Sequence, residues 1–166
     1  MRILVAGVKG IKSASHKTLN TITNDVEKLV AEPDRLTIAD EITAAVRENR
    51  ADVYLLLCDK YGLTDKVGVE IAANLDDGSM LTTDFDCSYV VDFFKSRGFG
   101  AYLSSNAGVT YGNLMYSAAL SELERQGKPA AALLLHIPRI DRISSKRKFV
   151  GILEAFIEHI QRKGKG

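Results

Sequence analysis

Cysteine, excess charge of either sign and long apolar runs are all scarce in this 166-residue chain. Its two cysteines, Cys58 and Cys87, do not make a disulfide framework. Cys58 follows the apolar run Val53 to Leu57 and reads as a small buried hydrophobe. Basic and acidic residues number 22 and 21, a net charge of +1. A nucleic-acid binder carries a strongly basic face, so no nucleic-acid partner is expected. The late cations Lys146, Arg147, Lys148, Arg162, Lys163 and Lys165 read as a solvated helix face and tail. No apolar stretch approaches the roughly 18 residues that cross a bilayer. The opening Met1 to Ala6 is shorter than the about 7–15 residues of a signal-peptide core, and reads as a strand. A cytoplasmic protein with no membrane partner is the expectation. There is no internal repeat and no low-complexity segment.

What is present suits one globular domain with its own core: 46% hydrophobic and 26% charged residues. The domain is expected to span residues 1–163, with 164–166 as a disordered tail. Short apolar runs at Ile3 to Ala6, Val53 to Leu57, Ala101 to Ser104 and Ala130 to His136 read as buried strands. Helix patterns fall at 16–31, 39–49, 86–97, 110–126 and 146–162. Asp40 and Asp86 are the expected caps of the second and third helices. Gly98 and Gly127 are the expected stops of the third and fourth. Strands alternating with helices argue for a mostly parallel sheet covered on both faces, with crossover units at 94–105 and 120–135. The stretch from Asn74 to Thr83 reads as a long loop. Ligands of such sheets bind beyond the carboxyl ends of the strands. That places Gly7 to Ser15, Cys58 to Lys66, Ser105 to Asn113 and His136 to Arg142 on one rim.

Three segments carry chemistry. Ser104-Ser105-Asn106-Ala107-Gly108 runs through Val109-Thr110-Tyr111 to Gly112-Asn113, and a helix follows. Leu134-Leu135-His136-Ile137-Pro138 ends a strand, and Val69-Glu70-Ile71-Ala72-Ala73-Asn74 precedes both. In this order they resemble the pyroglutamyl peptidase I (pyrrolidone-carboxylate peptidase) family, over Ile3 to about Ile143. The resemblance implies a three-layer α/β/α fold with a mixed, mainly parallel sheet. It also implies a Cys-His-Glu triad that removes N-terminal pyroglutamate from peptides, with no cofactor and no metal, and association into homo-oligomers.

Carried over residue by residue, the resemblance makes His136 the base. It makes Glu70 the group that orients the base, although its spacing to Asn74 is one residue shorter than the family pattern. The other reading of Glu70 is a surface glutamate on an edge strand. The nucleophile position falls on Gly112 counting forward, or on Tyr111 counting back from Met115-Tyr116, and neither residue bears a thiol. Cys58 and Cys87 lie on other elements. The implied ligand contacts are Gly7, Val8, Ile11, Asn106, Gly108 and Asn113. Further departures are a first loop without aromatics (Gly7 to Lys12), Leu63 where the family carries an arginine, and a shorter chain. The shortening is expected to remove the strand between the first two helices and part of the loop at 75–83. A triad without its nucleophile keeps only binding and oxyanion stabilisation. The expectation is therefore a non-catalytic relative that binds a small acid, amide or peptide end. The alternative is a hydrolase that uses His136 and Glu70 with Thr110, Ser105 or water. Gly10-Ile11-Lys12-Ser13 lacks the spacing of a phosphate-binding loop.

Overall fold

The computed structural model describes residues 1–163; the expected tail, 164–166, lies outside the described residues. Six strands form one sheet: β1 (Ile3–Val8), β2 (Glu27–Ala31), β3 (Val53–Lys60), β4 (Lys66–Glu70), β7 (Gly100–Ser104) and β8 (Ala131–Pro138). Their order is β2-β1-β3-β8-β4-β7. Every neighbouring pair is parallel except β4 and β8, which meet antiparallel. Interior strands read as unbroken apolar runs because both faces are covered: β1 and the first six residues of β3 are buried throughout.

Helices α1 (Ala14–Thr21), α3 (Cys87–Ser96) and α5 (Lys146–Lys163) cover one face, where an aromatic cluster of Phe93, Phe94, Phe99, Phe149 and Phe156 sits. Helices α2 (Ile38–Glu48) and α4 (Tyr111–Gln126) cover the other, against Leu4, Ala6, Tyr54, Leu56, Cys58, Ala132 and Leu134. The result is the three-layer α/β/α fold with a mixed, mainly parallel sheet.

Several elements differ from expectation. The helix pattern at 16–31 is a short helix followed by β2, so the strand between the first two helices is present. Its outer end, Glu27 and Lys28, is exposed, and an edge strand with one solvated end carries little apolar signal. The stretch at 74–83 is a hairpin of β5 (Ala72–Asn74) and β6 (Met80–Thr82), turned by Asp76-Asp77-Gly78 with Gly78 at φ +85°. Helix α2 starts after Thr37, so Asp40 lies in its first turn, not at its cap. Asp86 caps α3 by accepting from the Tyr89 N–H, and Gly127 ends α4 in the left-handed conformation. The unit around α3 joins the parallel strands β4 and β7. That around α4 joins β7 to β8, which run in opposite senses with β4 between them. Ser104 therefore leaves the sheet level with Glu70 and Leu134, and the loop at 105–110 runs back towards His136.

Candidate active site

The antiparallel seam between β4 and β8 builds the site. Glu70 comes from β4 and His136 from β8, 66 residues apart in sequence. His136 Nδ1 donates to Glu70 Oε1 at 2.8 Å. The two side chains are 3% and 0% exposed. Glu70 is thus an interior carboxylate, not a surface group on an edge strand, because β7 takes the edge beyond β4. Burial alone would raise its pKa. The hydrogen bond to His136 and the positive charge nearby more than offset this and hold it below the usual range. An ionised carboxylate only accepts, so Nδ1 supplies the proton of this bond and Nε2 is the ring nitrogen left to face Gly112. The Glu70 backbone carbonyl is held in turn by the Tyr116 hydroxyl at 2.8 Å and the Cys87 thiol at 3.7 Å.

Gly112, in the first turn of α4, faces Nε2. A Cβ placed on it would stand 2.6 Å from His136 Nε2 and 3.3 Å from Cys58 Cβ. Helix start, imidazole and Cys58 therefore converge on one point. Cys58 belongs there because β3 lies beside β8 in parallel register, with Cys58 opposite His136. Cys58 does lie on another element, as expected from the sequence, but the pairing makes that element the neighbour of the histidine strand. Burial and the neighbouring Asp59 push its thiol up to about 12, while the Gly112 N–H pulls it down. Tyr111, the other candidate for the nucleophile position, points away, its hydroxyl donating to Pro33 O at 2.8 Å.

The remaining predicted contacts have different placements. Gly7 and Val8 are buried in β1, where a Cβ on Gly7 would meet Leu19 at 2.7 Å. Ile11 is 92% exposed. Asn106 Oδ1 accepts from Gly108 N at 3.1 Å and closes the turn that gives Gly108 its φ of +78°. Asn113 is taken up by Asn74 on the hairpin: Oδ1 accepts from its N–H at 2.7 Å and Nδ2 donates to its carbonyl at 3.0 Å. This latch fixes the start of α4 against β5. Asn113→Ala is expected to cost about 1 kcal/mol, because it leaves a partly buried N–H and carbonyl of Asn74 without this partner. Faster amide exchange at Asn74 would accompany it, and an unchanged Asn74 exchange rate would show that the latch bears no load.

Three contributors escaped the sequence reading: Gly68, Tyr102 and Asp59. Gly68 lies opposite His136 in the ladder, and a Cβ there would stand 2.9 Å from the Tyr102 hydroxyl and 3.5 Å from His136 Cβ. Tyr102 from β7 therefore approaches the pair over a glycine. Its own pKa is raised by burial and by Glu70. A glycine inside a strand marks such an approach. Asp59, next to Cys58, accepts from the Ala14 and Ser15 N–H groups at 2.8 and 2.9 Å and so caps α1. The four most exposed large apolar residues, Ile11, Leu36, Tyr61 and Val109, all lie on loops around this end of the sheet. Surface grooves of about 630 Å³ between α1 and α5 and about 700 Å³ beside Met1, Phe85 and His159 lie elsewhere. No cluster of three or more metal-ligating side chains exists among the described residues. No helix there is long and apolar enough to cross a membrane.

The fold is that of the pyrrolidone carboxyl peptidases. A mutant pyrrolidone carboxyl peptidase from Pyrococcus furiosus superposes with a TM-score of 0.81 at 15% identity, covering 95% of this chain and 97% of that one. The pyrrolidone carboxyl peptidase of Fervidobacterium islandicum AW-1 gives 0.81 at 15% identity, over 98% and 99% of the two chains. Pyroglutamyl peptidase I from Bacillus amyloliquefaciens gives 0.80 at 14%, over 92% and 91%. No family profile matches the chain, and no curated protein does. At such identities the likeness is one of fold.

Proposed function

We propose that this chain is a pyroglutamyl-peptidase-like protein that keeps an oriented imidazole base but has given up the nucleophile at the start of α4. It then binds a small acid, amide or peptide end without hydrolysing pyroglutamyl peptides by the thiol route. One observation carries this reading: Gly112 faces His136 Nε2 so closely that the imidazole fills the space in which a side chain at 112 would root. Glycine has no group that attacks a carbonyl, and loss of a nucleophile leaves only binding and oxyanion stabilisation. A cytoplasmic location and association with copies of itself belong to the same proposal.

The test is release of the chromophore from a pyroglutamyl amide. No turnover is expected from the protein as it is. Turnover that His136→Ala abolishes would refute the reading. Gly112→Cys is not expected to restore the reaction, because its Cβ collides with a ring that Glu70 holds in place. Overpacking costs about 1–3 kcal/mol. The better helix propensity of a non-glycine residue returns up to about 1 kcal/mol. Gly112→Ala and Gly112→Cys should therefore both melt lower than the parent, and equal or higher melting temperatures would show that the imidazole yields freely.

A second reading, a hydrolase of altered chemistry, is favoured by one feature. His136 Nε2 has no hydrogen-bond partner among the described residues, although the side chain is 3% exposed and its Nδ1 is anchored by a carboxylate. A base so oriented suits activation of a nucleophile other than residue 112.

A further inference from the structure

We infer that the nucleophile of this site is Cys58, shifted from the first turn of α4 to the neighbouring strand β3. The inference rests on the second reading above and names the group on which the base acts. Cys58 stands opposite His136 in the β3–β8 ladder, and successive residues of a strand alternate faces, so both side chains emerge on the α4 face of the sheet. The point 2.6 Å from Nε2 and 3.3 Å from Cys58 Cβ is empty only because residue 112 is glycine. With no side chain at residue 112, α4 places no Cβ between Cys58 Cβ and the imidazole. Nε2 borders that gap, and in the resting structure the thiol donates to the Asp59 carbonyl at 3.7 Å. Helix α4 has 16 residues, and no side chain caps it at Thr110. Its first N–H groups are therefore available to negative charge, and the Gly112 N–H already favours the thiolate of Cys58.

Burial keeps the resting group a neutral thiol, with a pKa near 12. It therefore reacts as a serine does in a triad, losing its proton only as it attacks. Cys58 Sγ bonds to the carbonyl carbon of a small ester or amide while its proton moves to His136 Nε2. The carbonyl π pair moves onto oxygen, beside the first turn of α4. The oxyanion collapses, the bond to the alcohol or amine breaks, and Nε2–H protonates that leaving group. Water, deprotonated by Nε2, then cleaves the thioester, releasing the acid and restoring the thiol. Glu70 stabilises the imidazolium in each half and is a positioning residue.

Cys87 supplies an internal control, since it is 6% exposed and Cys58 5%. Burial alone predicts equal reaction at the two thiols. The experiment treats the native protein with p-nitrophenyl acetate and maps the acetyl group by mass spectrometry, before and after iodoacetamide. Expected are acetylation at Cys58 in preference to Cys87, prior alkylation that blocks it, and loss of the label in Cys58→Ser. His136→Ala should slow it by about 100-fold or more, the usual contribution of a general base. Equal labelling of the two thiols, or a Cys58 rate indifferent to His136, overturns the inference. If Cys58→Ser keeps p-nitrophenol turnover that His136→Ala loses, the base acts on water: Cys58 falls and the hydrolase reading stands. If the native protein neither acetylates at this site nor turns over, both fall, and the non-catalytic reading remains.

Discussion

Glu70→Ala is expected to cost about 3–5 kcal/mol of folding stability, the usual penalty for removing one member of a buried polar pair. The side chain is fully buried, and its removal leaves His136 Nδ1 with a proton and no acceptor in an apolar setting. The effect has a pH signature. Glu70 titrates lower in the folded chain than in the unfolded one, because its hydrogen bond to His136 and the nearby positive charge outweigh burial. A depressed carboxylate contributes stability that is fully present above its unfolded pKa, near 4.3 by ordinary values. That contribution disappears as pH falls through the folded pKa. The native protein should therefore lose stability below about pH 4–5, partly through Glu70. Glu70→Gln, which keeps the shape but does not ionise, should flatten that part of the profile. Urea melts between pH 3 and 7 decide it. Parallel profiles for the parent and Glu70→Gln would show that the carboxylate is not charged in the folded state.

Phe156→Ala is expected to cost as much, about 3–5 kcal/mol, for a different reason. Phe156 is fully buried on α5, with ring centroids 5.3 Å from Phe93, 6.0 Å from Phe94 and 6.4 Å from Phe85. Truncation leaves a cavity between α5 and α3 that rigid aromatic neighbours do not refill. The cluster lies on the face of the sheet opposite α4, so its loss should not disturb Gly112, Cys58 or the imidazole. The variant should show the same pH profile as the parent, displaced downwards. It should also keep the ratio of Cys58 to Cys87 labelling. A changed ratio would mean that the two faces of the sheet are mechanically coupled. Together the two variants separate what holds the molecule together from what arms its site.

The local parts of the site were legible in the sequence. His136-Ile137-Pro138 at a strand end and Ala107-Gly108 before a helix are short segments whose geometry is set by near neighbours. Glu70 was legible as a candidate, but not its burial, which depends on β7 passing outside β4. Nothing in the run Val53 to Cys58 announces that Cys58 lies beside His136, because that neighbour is fixed by the non-local pairing of β3 and β8. The direction of β4 was hidden for the same reason. A reader of one strand cannot see the sense of the next. Strand β2 failed to register because half of it is solvated, and the β5–β6 hairpin because its strands have three residues each. Asp77-Gly78 was nevertheless a hairpin signal.

The antiparallel seam also sets an order of assembly. Contacts that close long loops form late, since their entropy is lost before they stabilise anything. The Glu70–His136 bond spans 66 residues and joins β4 and β8, the one neighbouring pair of the described sheet that is antiparallel. The bond is made only where the β4-β7 block meets the β1-β2-β3-β8 block, because each block supplies one of its partners. An armed imidazole is therefore a product of complete folding, and chains stalled with the two blocks apart carry a base that points nowhere.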